Sequence, residues 1–368
     1  MLSLPPDFNN PPPQLPVKSH QENYQSLSNL GNGSFGTVEL AKCRFRSSSL
    51  LCPRQYKKGT LLEPLQDAQH NLTCLVAIKT MKKRLNTLKD YTRVKEVRFI
   101  LAIPSHPCLV QVYEMFIDDK NYQLHIVMES LNQNLYQLMK ARRSVRFSQT
   151  TLKSILSQVL CAIGHIHNNN YFHRDVKPEN ILVIPTHQYY GSKEAIPPHR
   201  KHDNFVVKLG DYGLARHIHN LKQYTAYVST RWYRSPEILL RQKWYSRPID
   251  IWAFGSVAAE IANFTPLFPG SNELDQIWRI LKVMGSPVLP DTSQQTFIPL
   301  GGFWGEAQDL AQKLGFVFPA EPGVTLRQMI PGSANKELAD VVKECLSWDP
   351  HSRPTVDAIA RMPFFRNS

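Results

Sequence analysis

Apolar positions change their period part-way along the chain. In the first third they fall in short runs. One ends near Leu30, another starts near Thr37, and between them lies GNGSFG (31–36), which predicts two strands joined by a glycine turn. CLVAIK (74–79) and LHIVME (124–129) have the length and apolar content of buried strands, with a basic helix predicted over 86–101. Beyond residue 131 the helical period takes over. Leu152, Ile155, Leu156, Val159, Leu160, Ile163 and Ile166 recur at spacings of three and one, which marks a single helical face. Further helices are predicted at 250–264 and 272–284, and strands at 181–184 and 205–209. The expected class is α+β, with a small β-rich region over 24–131 and a larger, mostly helical one over 132–368.

Polar stretches set the boundaries. Residues 1–16 hold six prolines, which can sustain neither helix nor sheet pairing, so 1–23 is expected to be a disordered tail. A polar stretch rich in Lys, Gln and Pro precedes the strand at 74–79. Hairpin loops usually run about 2–5 residues, so about 42–73 is read as an insertion. A second insertion is predicted at about 185–204, between two strands. No internal repeat is visible.

Composition narrows the class. Apolar residues make up 42% of the 368 and charged residues 20%, enough for a real core; that excludes disordered, collagenous and coiled-coil chains. The net charge of +13 favours phosphates, nucleic acid or acidic partners and says nothing about fold. No apolar run approaches the roughly 20 residues that span a bilayer, so no membrane association is expected. The N-terminus carries no charged-then-apolar leader. Six cysteines are scattered without CxxC spacing, which fits reduced thiols in the cytoplasm and nucleus better than disulfides or zinc.

Four motifs then carry chemistry in order. Gly31-x-Gly33-x-x-Gly36-x-Val38 is weak alone, because dinucleotide-binding turns use the same glycines. A strand follows it rather than a helix, which favours a loop between β-strands whose backbone can approach phosphate. Val76-Ala-Ile-Lys79 offers an ammonium group, and Glu96, 17 residues on, offers a carboxylate to hold it. In His173-Arg-Asp175-Val-Lys177-Pro-Glu-Asn180, Asp175 can accept a hydroxyl proton, Lys177 can steady a phosphoryl group and Asn180 can coordinate Mg²⁺. Asp211-Tyr-Gly213 follows an apolar strand and offers a second carboxylate to metal.

These motifs, in this order, resemble those of the eukaryotic protein kinases, from about Tyr24 to Phe365. Ser235-Pro-Glu237 stands at the family's APE, Asp250 at its buried helix aspartate, and Arg353 at the arginine that pairs with Glu237. Thr225-Ala-Tyr227 with Ser-Thr-Arg231-Trp-Tyr-Arg234 resembles the activation segment of MAP kinases and their relatives, and 268–287 resembles the insert region of the cyclin-dependent/MAP kinase group. The RCK branch (male-germ-cell-associated and meiosis-inducing kinases) is most similar, above all its fungal meiosis-inducing serine/threonine kinase. Tyr212 and Ser235 depart from the family's usual Phe and Ala, and neither change removes a ligand.

The resemblance implies a bilobal kinase fold with an activation loop over 211–237, using ATP and Mg²⁺ to phosphorylate Ser or Thr in protein substrates. It implies an adenine site of Leu30, Val38, Ala77 and Leu182, hinge groups at Glu129 and Leu131, Met128 as gatekeeper, and a phosphate lid of Gly31, Asn32, Gly33, Ser34, Phe35, Gly36 and Thr37. Asp175, Lys177, Lys79 and Glu96 would be catalytic, with Asn180 and Asp211 on metal. Thr225 and Tyr227 would be regulatory phosphosites. Arg174, Arg216, Arg231 and Arg234 would receive their phosphates, with Lys95 a further candidate. An upstream activating kinase is implied. The segment before Glu96 is not PSTAIRE, so no cyclin is expected, and no basic stripe with interleaved aromatics argues for direct nucleic-acid contact. Lys82-Lys83-Arg84 resembles a nuclear signal, yet its place at the end of the Lys79 strand explains it as well. The rival class is a nucleotide-binding pseudokinase scaffold. It would need loss of Lys79, Asp175, Asn180 or Asp211, and all four are present.

Overall fold

The computed structural model describes residues 14–33, 36–44, 75–143, 145–219, 230–288, 298–331 and 336–366. The chain divides into two compact units, Met1–Ser130 and Leu131–Ser368.

The first unit is a sheet of strands β1 (Val17–Lys18), β2 (Tyr24–Asn32), β3 (Gly36–Cys43), β4 (Leu75–Met81), β5 (Val112–Asp118) and β6 (Leu124–Glu129), in the order β1-β5-β6-β4-β3-β2. Only β1 pairs in parallel, with β5. Tyr24, Ala41, Val76, Ile78, Phe116 and Val127 pack into one buried cluster, the inward face that strand alternation demands. Three short or single helices, α1 (His20–Asn23), α2 (Leu88–Tyr91) and α3 (Lys95–Ala102), complete it.

Two expectations need correction here. Within the predicted tail, 14–23 is structured. Pro16 lacks an N–H, but its carbonyl accepts from Ile117 at 2.9 Å, the Lys18 carbonyl accepts from Asp119 at 3.1 Å, and Leu15 is only 1% exposed. A two-residue strand is too short to leave a period in the sequence. The helix expected over 86–101 is broken in two. Val94 adopts φ −58°, ψ 132°, outside the helical region, so α3 begins only at Lys95. Strand β5 went unpredicted: a bulge between Val112 and Glu114 breaks the alternation that would have announced it.

The second unit is mostly helical. It carries α4 (Leu135–Arg142), α5 (Gln149–Asn168), α6 (Thr186–Tyr189), α7 (Pro236–Leu239), α8 (Pro248–Asn263) and α9 (Glu273–Met284), followed by shorter helices to Arg366. Small sheets join β7 (Gln133–Asn134), β9 (Ile181–Pro185) and β10 (Phe205–Leu209), and pair β8 (Tyr171–Phe172) with β11 (Arg216–His217). Ser148 caps α5, and the predicted apolar face lies buried along it. Ile249 through Ala262 of α8 are all buried, as befits a helix apolar on every side. Of the first insertion, 42–44 and its β3 end are described and 45–74 lies outside the described residues. The second, 185–204, is anchored: Gln158 on α5 accepts from Arg200 at 2.8 Å and from the Val207 amide at 2.9 Å. Among the described residues no helix is long and apolar enough to cross a membrane.

Candidate active site

The predicted residues fall into two sets, one on each unit. On the first unit, antiparallel pairing sets Val38 opposite Lys79 and Ala77 opposite Met128. Lys79 Nζ donates to both carboxylate oxygens of Glu96, at 2.8 and 2.9 Å. Both side chains are nearly buried, so the pair fixes an ammonium group in a partly dry setting, where a carboxylate fork gives it direction. Helix α3 presents Glu96 while burying Val97, Phe99 and Ile100.

The glycine turn joins β2 to β3. The Gly33 amide donates to the Gly36 carbonyl at 2.8 Å. A Cβ on Gly36 would lie 2.3 Å from the Thr80 carbonyl oxygen, so only glycine lets β3 approach β4 here, whereas a Cβ on Gly31 would meet nothing within 4 Å. Leu30 is half exposed, while Asn32 and Gly33 are exposed and Thr37 and Val38 half-buried. Ser34 and Phe35 lie outside the described residues. Glu129 is already engaged: its amide donates to the Gln111 carbonyl at 2.9 Å, and its carboxylate accepts from the Gln111 amide at 2.6 Å. In the sheet Glu129 also stands opposite Val76 of β4.

On the second unit, 173–180 wraps around a single carboxylate. Asp250, 1% exposed, accepts from the His173 amide (2.7 Å), the Arg174 amide (2.8 Å) and His167 Nε2 (2.9 Å). Burial alone would raise the Asp250 pKa; the His167 hydrogen bond, the nearby His173 ring and the Arg174 amide outweigh it and hold the carboxyl below its ordinary range. This anchor also fixes Arg174 at φ +73°, a left-handed backbone that costs a non-glycine residue energy. His173 accepts the Asp175 amide on Nδ1 at 3.2 Å, so its Nε2 donates to the Gly210 carbonyl at 3.0 Å.

Asp175 is the centre of the cluster. Its Oδ2 accepts from Asn180 Nδ2 at 2.8 Å and pairs with Lys177 Nζ at 3.0 Å. Its Oδ1 is buried and has no hydrogen-bond partner among the described residues. A carboxylate oxygen with no donor in a residue only 5% exposed is costly, and such orphans mark positions where a ligand supplies the missing donor. Lys177 Nζ also donates to Thr230 Oγ1 at 3.0 Å, a contact the sequence did not announce. Pairing of β9 with β10 and a 2.9 Å bond from the Gly210 amide to the Asn180 carbonyl bring Asp211 beside Asn180. Asp211 is exposed at φ +59°. Oxygen donors from Asn180 and Asp211 suit a hard divalent cation whose remaining ligands are phosphate and water. Leu131 and Leu182 are half-buried, with Leu182 on β9.

The four predicted phosphate-binding arginines are all engaged. Arg174 donates to Tyr245 Oη at 2.6 Å and to the Leu214 carbonyl at 3.2 Å, with its guanidinium over the Tyr245 ring; no motif had signalled Tyr245. Arg216 donates to the Ala215 carbonyl at 3.0 Å. Arg231 donates to the Ser271 carbonyl at 2.8 Å, and Arg234 pairs with Glu273 at 3.3 Å, so both hold the start of α9. Lys95 is exposed in the first turn of α3. Thr225 and Tyr227 lie outside the described residues. The scaffold pair forms as the sequence implied: Arg353 meets Glu237 in a bidentate bridge at 2.7 and 2.8 Å, almost wholly buried.

Comparison with known proteins gives the family. The protein kinase domain family matches residues 64–365. The chain belongs to the protein kinase family. It is similar to the meiosis induction protein kinase IME2/SME1 of Saccharomyces cerevisiae, at 51% identity over 100% of this chain and 58% of that protein. It is also similar to the serine/threonine-protein kinase MAK of Rattus norvegicus (36% identity, 85% of this chain, 45% of that one). The sporulation protein kinase mde3 of Schizosaccharomyces pombe resembles it at 34% identity (91% and 53%). This kinase-family chain spans about half the length of these relatives. In fold it resembles a chain of the CAK complex from Chaetomium thermophilum solved bound to ATP-gamma-S, with a TM-score of 0.68 at 24% identity over 95% of this chain and 92% of that one.

Proposed function

We propose that this protein is an ATP-dependent serine/threonine protein kinase. The observation that carries this reading is Asp175: its buried Oδ1 has no partner among the described residues, while its Oδ2 is held by Asn180 and flanked by the Lys177 ammonium. Asp175 orients a substrate Ser or Thr hydroxyl and accepts its proton at Oδ1. Lys177, 3.0 Å from the same carboxylate, offsets charge on the transferring phosphoryl group. Lys79, steered by Glu96, pairs with the triphosphate. Asn180 and Asp211 hold Mg²⁺, which neutralises phosphate charge when bound. Phosphoryl transfer needs little from a protein beyond such positioning and charge.

Activation by phosphorylation of Thr225 and Tyr227 belongs to the same proposal. Support comes from the TAY sequence, the arginines that follow it and the similarity to kinases of this type. A phosphate adds roughly −1.5 to −2 charge, enough to compete for Arg231 and Arg234 with their present carbonyl and Glu273 partners. A role in meiosis or related differentiation rests on the names of the relatives.

The test is incubation with Mg²⁺, labelled ATP and a randomised Ser/Thr peptide library. Transfer should appear, fall about 10²–10⁴-fold in Asp175→Asn, and weaken at least about tenfold in Thr225→Ala plus Tyr227→Phe. No transfer after activation-loop phosphorylation would sink the enzyme reading.

A further inference from the structure

The stretch Lys82-Lys83-Arg84 is the one sequence motif that the proposed chemistry leaves unused. Its three residues are exposed at the end of β4, three to five residues beyond Lys79. They do not behave alike. Lys82 Nζ donates to the Gly33 carbonyl at 2.8 Å, across 49 residues of sequence, whereas that contact is specific to the first of the three.

The contact matters because of what the glycine turn lacks. A run chosen for absent side chains has almost nothing of its own to fix its pose. A Cβ at Gly31 would have no neighbour within 4 Å, and at Gly33 its nearest neighbour would be the Gly36 carbonyl oxygen at 3.7 Å. Among the described residues, two contacts tie the turn to the end of β4. One is backbone: Gly36 sits so close to Thr80 that no side chain fits between them. The other is the Lys82 ammonium group on Gly33, two residues beyond Thr80. The first fastens the C-terminal end of the turn to β4, and the second fastens its middle to the same strand end.

We infer that Lys82 is a positioning residue for nucleotide binding: it holds the glycine turn through the Gly33 carbonyl. This rests on the reading of the protein as an ATP-dependent kinase. A charge-assisted hydrogen bond to a carbonyl is directional and short, and an exposed one contributes modestly, so its loss loosens the turn without dismantling the sheet. Arginine can still donate to that carbonyl; alanine and methionine cannot.

The experiment measures steady-state kinetics with ATP and a short peptide, together with the Kd of a fluorescent ATP analogue, for wild type, Lys82→Ala, Lys82→Met, Lys82→Arg and Lys83→Ala. KM for ATP and the analogue Kd should rise about three- to tenfold in the Ala and Met variants, with kcat within about twofold and the peptide KM unchanged. Lys82→Arg should recover most of the loss, and Lys83→Ala should match wild type. Unchanged nucleotide affinity in Lys82→Ala overturns the assignment, as does an equal loss in Lys83→Ala, which would mean simple charge attraction. If wild type neither binds nor uses ATP, the kinase reading itself fails; normal wild-type turnover with an indifferent Lys82→Ala removes Lys82 alone.

Discussion

Single side chains in this protein are set by what surrounds them more than by their type. Glu260 on α8 is 3% exposed and accepts a 2.7 Å hydrogen bond from Tyr233. Burial drives its pKa up to about 7; the Tyr233 bond opposes this, and Glu179 adds to it. Tyr233 is in turn pushed well above its ordinary value, by burial first and by Glu260 next. The folded state therefore keeps Glu260 protonated where the unfolded chain has ionised it. This contribution to stability is complete below the unfolded value of 4.5 and is lost as pH rises towards about 7. We expect Glu260→Gln, which keeps an acceptor for Tyr233, to flatten the fall in stability between pH 5 and 7. At pH 8 it should unfold later than wild type, by up to roughly 3 kcal/mol at 1.36 kcal/mol per pKa unit. Urea titrations of both proteins at pH 5, 6, 7 and 8 would check this; parallel profiles would contradict it.

At the scale of elements, the first unit depends on a segment that its composition disguises. Residues 14–23 close the sheet edge beyond β5. His20 stacks on His125, with ring centroids 4.8 Å apart, and its Nε2 lies 2.7 Å from Glu39. Its amide donates to Asp118 at 2.9 Å, and Lys18 and Tyr24 both reach Glu114 at 2.5 Å. His125 is held neutral: burial lowers its pKa to about 4, helped by His20. Starting the chain at Tyr24 would remove the Leu15 burial and the contacts of Lys18 and His20, while leaving the Tyr24 bond to Glu114. We expect a loss of at least about 2 kcal/mol from the buried leucine alone, read as a lower denaturation midpoint. A truncated protein as stable as the full chain would show that β1 contributes nothing. Prolines at 11–13 and 16 pointed away from structure here, because composition reports propensity and cannot see an edge waiting for a partner. The candidate site residues were easier to pick out. Asp175, Lys177 and Asn180 share one short loop, and Lys79 and Glu96 are only 17 positions apart, so spacing already constrained their geometry.

At the scale of the whole chain, the second unit is tied together across 116 residues by Arg353 and Glu237. Both charges are almost fully buried, and Arg353 also lies over the Trp252 ring, 5.0 Å from its centroid. Breaking a buried pair by removing one partner strands the other charge, which costs about 3–5 kcal/mol. Arg353→Met should therefore destabilise the protein by that order in urea unfolding, and Arg353→Met with Glu237→Leu should recover most of the loss. If the double variant is no better than the single one, desolvated charge is not the cause.

The sequence by itself determined the class and picked out the candidate site residues. Residue type fixes what a side chain can donate or accept, and apolar period fixes which segments are strand or helix, so the kinase motifs and the division near residue 131 could be read directly. Tertiary structure decided the rest. It left Asp175 Oδ1 without a donor among the described residues, lifted Glu260 towards neutrality, recruited Val17–Lys18 after the proline-rich stretch as a strand, and turned one lysine of three towards a glycine carbonyl. Each of these depends on which groups meet in space, across 27 residues for Tyr233 and Glu260 and 49 for Lys82 and Gly33, or on how much water reaches them. A linear pattern carries neither quantity.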